Sequence, residues 1–226
     1  RDGGRRAPFN RKDCAHPAWG VATFVGLEFL RFEIPGIWKI VVARMGGRFS
    51  WLFVLGGFMV VSWLANKWAM SSTSMGMQYA GLGIYVVAEA IIFLPLLLIA
   101  AHPQFLNQPQ IIGQAAIITG ALFGGLTLIA FTTKKDFSFL GGILKMGFFV
   151  AMGLIVASIF MGFNLGLLFS GAMILLASIS ILYSTSNIIH HYGTTQYVAA
   201  ALGLFASVAL LFWYVLRILM AFSGRD

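Results

Sequence analysis

One cysteine, Cys14, in 226 residues leaves no partner for an internal disulfide and excludes a metal site built from several thiolates. Charge is equally scarce. Asp, Glu, Lys and Arg together make up 10% of the chain, against roughly a quarter of an average soluble domain. That supply cannot cover a water-facing surface of ordinary size, which excludes a globular soluble protein. Catalytic signatures are missing as well: the chain has no GxSxG elbow, no HExxH pair, no glycine-rich phosphate loop and, beyond the first apolar run, no pair of carboxylates inside such a run. No enzyme class has a constellation to rest on, and nothing calls for a cofactor.

Apolar residues are abundant, at 59% of the chain. A membrane span needs about 20 mostly apolar residues, and the sequence offers that length repeatedly. The spans read as about 17–34, 51–70, 79–101, 111–132, 137–162, 165–184 and 196–222. The expected fold is an all-α membrane protein, a seven-transmembrane-helix bundle. A polar, basic segment at 1–14 precedes a single transmembrane bundle at 15–226. In the first span Glu28, Arg31 and Glu33 interrupt the apolar run, each charge costing about 3 kcal/mol at mid-membrane depth. No small-residue cleavage site follows it, so it reads as a span and not as a cleaved leader. Residues 35–49 alternate apolar and basic positions at helical spacing, which suits a short helix on the membrane surface.

The net charge is +8, and nine of the fifteen Lys and Arg residues fall in residues 1–48. Spread over a tail and a surface helix, these cations serve topology and lipid head-group contact, with no nucleic acid implied. Later loops alternate: Lys67 and the pair Lys134 and Lys135 mark two of them, whereas His102–Gln110 and Gly162–Asn164 carry no Lys or Arg. With seven spans, the positive-inside rule places the N-terminus, these lysines and the His190–His191 loop in the cytoplasm, and the C-terminus outside. The basic 35–49 segment then faces outward, against the rule. Gly120 and Gly124 in "GALFG" share a helix face, a spacing that lets helices approach within the bundle or, as the lesser alternative, between two copies.

Metal ligation has little to draw on. His190 and His191 are adjacent and point to different sides of a helix. Neither has Cys, Asp or Glu at i+3 or i+4. His16 and His102 stand apart. Met70, Met75 and Met77 read as a flexible loop end. Past the first span, three ionisable residues lie deep in apolar runs: Glu89, Lys145 and Arg217. Such groups face a bundle interior, pair with a partner or snorkel to the interface. Glu89 is the deepest, and Pro95, soon after it, removes a helical hydrogen bond.

The stretch "ILYSTSNIIHHYG", Ile181–Gly193, turns polar at the end of an apolar run. Together with "TTKKDFSFLGGIL", Thr132–Leu144, and the closing "YVAAALGLFASVALLFWYVLRIL", it resembles the Bax inhibitor-1 family, also called the transmembrane Bax inhibitor motif family, and bacterial members most. The resemblance covers roughly residues 75–221. It implies a bundle with the C-terminal helix central, in a bacterial cytoplasmic (inner) membrane. For some members it implies a pH-sensitive calcium leak whose sensor is a pair of aspartates. The corresponding positions here hold Ser184, after Tyr183, and Ser207. Coupled carboxylates titrate near neutral pH and suit a hard cation, whereas serine hydroxyls do neither. The expectation is a calcium leak channel or transporter whose polar route is lined by Ser184, Thr185, Ser186, Asn187 and Ser207 and lacks the acidic sensor. The alternative is a non-conducting regulator of another membrane protein, for example a modulator of a membrane protease.

Overall fold

The computed structural model describes residues 50–70, 75–102, 105–133, 135–190 and 197–224. The expected first span, the surface helix at 35–49 and the segment at 1–14 lie outside the described residues, so the count of seven helices is not reached here. Among the described residues every regular element is an α-helix: α1 Ser50–Ala69, α2 Met75–Ala101, α3 Gln110–Thr133, α4 Leu140–Met161, α5 Leu167–His190 and α6 Tyr197–Ser223. All six are long and apolar enough to cross a membrane. Even α1, at 20 residues, reaches about 30 Å at 1.5 Å per residue.

Several boundaries differ from the sequence reading for local reasons. α5 continues to His190, six residues past the expected end at 184. Its polar residues bond within the helix: Ser178 Oγ donates to the Ile174 carbonyl at 2.9 Å, and His190 Nδ1 lies 3.0 Å from the Ser186 carbonyl. α4 starts at Leu140 and not at 137. Before it, the Ser138 N–H donates to the Asp136 carboxylate at 2.9 Å, which folds the chain into a turn. The Phe137 N–H donates sideways to Ser186 Oγ at 2.9 Å. α2 begins at Met75, ahead of the expected 79, and stays helical across Pro95.

Consecutive helices run antiparallel, and close approaches show it. A Cβ on Gly81 would sit 2.7 Å from the Ala65 carbonyl oxygen, so only glycine lets α2 lie this near α1. A Cβ on Gly141 would meet the Tyr183 ring at 3.0 Å, the same device between α4 and α5. Gly120 and Gly124 do not act this way. A Cβ at either meets nothing within 4 Å among the described residues, so the expected close packing at "GALFG" is absent there.

α6 packs on α1, α2, α3 and α5, its contact with α5 being the most extensive in the molecule, while α4 leans chiefly on α5. Accordingly 61% of the α6 span and 56% of the α2 span is buried, against 6% for α4. Aromatic packing joins the two inner helices: Phe93 stacks on Phe212 at 5.7 Å and meets Trp213 edge-on at 5.1 Å. Because lipid is as apolar as a protein core, such van der Waals fit and interhelical hydrogen bonds hold the helices together in place of hydrophobic burial.

Candidate functional site

Helical periodicity sorts the polar stretch of α5. Ser180, Tyr183, Ser184 and Asn187 stand at i, i+3, i+4 and i+7 and so share one face. All four line a cavity of about 400 Å³, which Ser207 and Gly203 of α6 and Tyr85 and Glu89 of α2 also line. Phe58 of α1 and Leu144 of α4 complete the wall. The structure therefore brings Tyr183, Ser184, Asn187 and Ser207 to one place, with Glu89 among them.

Thr185 and Ser186, expected on the same route, are not part of the wall. They follow Ser184 by one and two residues and rotate off its face. Thr185 is buried, and its Oγ1 has no partner among the described residues. Ser186 holds the Phe137 N–H and so ties the α3–α4 loop to α5.

Ser207 bonds to Ser180, which the sequence reading had not singled out. Their Oγ atoms are 2.7 Å apart, and Ser207 Oγ also donates to the Gly203 carbonyl at 2.9 Å. A hydroxyl has one proton, so Ser207 gives its own to Gly203 and accepts that of Ser180. The spacing of Ser180, one turn before Ser184, was the signal available to find it.

Glu89 is 6% exposed. The Tyr85 hydroxyl, one turn earlier on the same face, donates to its carboxyl. The second oxygen, Oε2, is buried and has no hydrogen-bond partner among the described residues. The two positions that the resemblance gives to the acidic sensor hold serines, and Glu89 of α2 lines the same cavity.

The other two ionisable residues lie elsewhere. Lys145 is exposed on α4, about 8 Å from the start of that helix, within snorkelling reach of its end. Arg217 donates from Nη2 to the Leu165 carbonyl at 2.9 Å. It lines a separate cavity of about 470 Å³ with buried Ser170, at the N-terminal end of α5.

Comparison with known proteins adds the family. The family model described as inhibitor of apoptosis-promoting Bax1 matches residues 18–224. An uncharacterised protein of Pseudomonas aeruginosa is 29% identical over 208 residues, 92% of this chain and 84% of its own length. The modulator of FtsH protease YccA of Escherichia coli K12 is 42% identical over 122 residues, 50% of this chain and 54% of that protein. The inner membrane protein YccA of Escherichia coli O6:H1 matches to the same extent. The chain thus spans about half the length of those two relatives. With six apolar helices and a match along most of its length, this multi-pass membrane protein belongs to the Bax inhibitor-1 family.

Proposed function

We propose that this chain is an inner-membrane regulator that binds a membrane protease and modulates its activity. The observation that carries the reading is the 42% identity over 122 residues with a protein named as a modulator of the FtsH protease. The organisation of the bundle fits a binding role. Among the described residues α4 leans chiefly on α5 and leaves Phe148, Phe149, Phe160 and Met161 exposed along its length. The test is reconstitution of the purified chain with an FtsH-type protease in proteoliposomes. The expected outcome is co-purification of the two and a changed rate of degradation of a membrane substrate. Unchanged degradation at a molar excess of the chain, with no co-purification, would sink the reading.

A second reading, a cation leak, is favoured by the polar cavity around Glu89. The same vesicles loaded with a calcium dye separate the two. A leak gives flux without the protease, whereas the regulator leaves the vesicles tight.

A further inference from the structure

Arg217 is the one basic residue of α6 and stands six residues before its end, about 9 Å along the axis. A guanidinium keeps its charge at any ordinary pH, and in a bilayer it needs an anion or several acceptors. One acceptor is present, the Leu165 carbonyl at 2.9 Å. The other N–H donors of the fork meet none among the described residues. Nor is a carboxylate at hand: the described acidic residues are Glu89, midway along α2, and Asp136, beside the far end of α5.

The cavity of about 470 Å³ that Arg217 lines extends to the first turn of α5, with Leu165, Gly166, Leu167, Ser170 and Ala221 in its wall. The N–H groups of Leu167, Leu168 and Phe169 open that helix and so have no acceptor within it, while the Ser170 N–H reaches the Gly166 carbonyl only at 3.3 Å. Positive partial charge therefore gathers beside the guanidinium. Ser170 points to a ligand independently. It is 1% exposed and lines the cavity, yet its hydroxyl has no hydrogen-bond partner among the described residues, although a serine in a helix can bond back one turn, as Ser178 does. A Cβ added at Gly166 would meet nothing within 4 Å among the described residues, so the space beside the turn is open.

A cation, a helix N-terminus and a free hydroxyl call for an oxyanion. Phosphate suits the guanidinium fork, which meets two of its oxygens at once and leaves others for Ser170 and the helix start. Depth selects the carrier. The 24 residues of α5 reach about 36 Å, against a hydrocarbon core of about 30 Å, so its first turn stands at the level of the lipid head groups. The apolar wall of Leu165, Leu167 and Ala221 suits the glycerol and first acyl carbons of a lipid better than a hydrated free ion. No acidic side chain lines the wall to receive a head-group ammonium.

We propose that Arg217, Ser170 and the first turn of α5 bind the phosphate of an anionic phospholipid. The site goes beyond protease regulation and lies apart from the Glu89 cavity.

Thermal unfolding of the full chain in non-ionic detergent tests it, with added phosphatidylglycerol, phosphatidylcholine or inorganic phosphate at matched ionic strength. Phosphatidylglycerol is expected to raise Tm saturably by about 3 °C, with no saturable rise from the other two. Arg217→Gln is expected to abolish the rise, and Lys145→Gln, which removes an exposed charge on α4, to leave it intact. Should Arg217→Gln fail to fold, Ser170→Ala serves in its place, with the half-saturating lipid concentration raised roughly fivefold for one lost neutral donor. The proposal is overturned if phosphatidylglycerol leaves Tm unchanged, or if phosphatidylcholine or inorganic phosphate matches its effect. It is equally overturned by an effect that survives Arg217→Gln, is unaltered in a folded Ser170→Ala, or is lost in Lys145→Gln.

Discussion

At the scale of single residues, the hydroxyl pair between α5 and α6 is the feature whose energetics are simplest to isolate. Ser207→Ala removes the acceptor of the Ser180 proton and leaves that hydroxyl facing the cavity. A net hydrogen bond contributes about 1 kcal/mol in water-soluble proteins, and interhelical bonds in membranes average about 0.6 kcal/mol. The expected destabilisation is therefore about 1 kcal/mol, read by reversible unfolding in mixed micelles. Ser178→Ala is the control, because Ser178 bonds only within its own helix, to Ile174, and its loss is expected to be near neutral. Equal effects of the two substitutions would show that the contact between helices adds nothing. The resemblance to relatives made Tyr183, Ser184 and Ser207 legible in the sequence as neighbours. It was silent on Ser180 and Tyr85, because their roles depend on which helix faces supply the wall, and no motif records that.

At the scale of the helix, small residues act only where a neighbour is close. Gly81 faces the α1 backbone, with an added Cβ 2.7 Å from the Ala65 carbonyl oxygen and 3.1 Å from the Trp68 Cβ. Backbone cannot retreat as a flexible side chain can, so Gly81→Ala must push α1 and α2 apart, at an expected loss of about 1–3 kcal/mol. Gly120→Ala meets nothing within 4 Å among the described residues and replaces a poor helix former with the best one, for an expected gain of up to about 1 kcal/mol. Thermal unfolding of the two variants should therefore move in opposite directions. The sequence showed the "GALFG" spacing plainly and Gly81 hardly at all. In a bilayer the spans are apolar on every side, so the periodicity that reveals the buried face of a soluble helix is absent. Helix ends were legible to within a few residues. The misses at 137 and 184 arose where Asp136, Ser186 and His190 decide the backbone path through their own hydrogen bonds.

At the scale of the whole molecule, composition alone sufficed to read a multi-pass bundle, because a chain with so few charges has no other solvent in which to fold. The arrangement of its ends follows from contacts spread along the chain. The end of α6 meets the α2–α3 loop, since a Cβ on Gly224 would lie 3.6 Å from Leu106 Cδ1. Arg217 of α6 reaches Leu165 just before α5. At the opposite end Phe137, just before α4, bonds Ser186 near the close of α5. Lys67, Lys135 and His190 therefore share one end, while Asn107, Gly162 and Gly224 share the other. The positive-inside rule then assigns the lysine end to the cytoplasm, the end nearer to which Asn187 opens the wall of the Glu89 cavity. In a Cys14→Ser background, Asn107→Cys should react with a membrane-impermeant maleimide in intact cells, and Lys135→Cys only after the membrane is permeabilised. Reaction of both from the same side would contradict the packing of α3 as a span between them. A reversed pattern would keep the bundle but turn it over, placing the Asn187 end on the outer face.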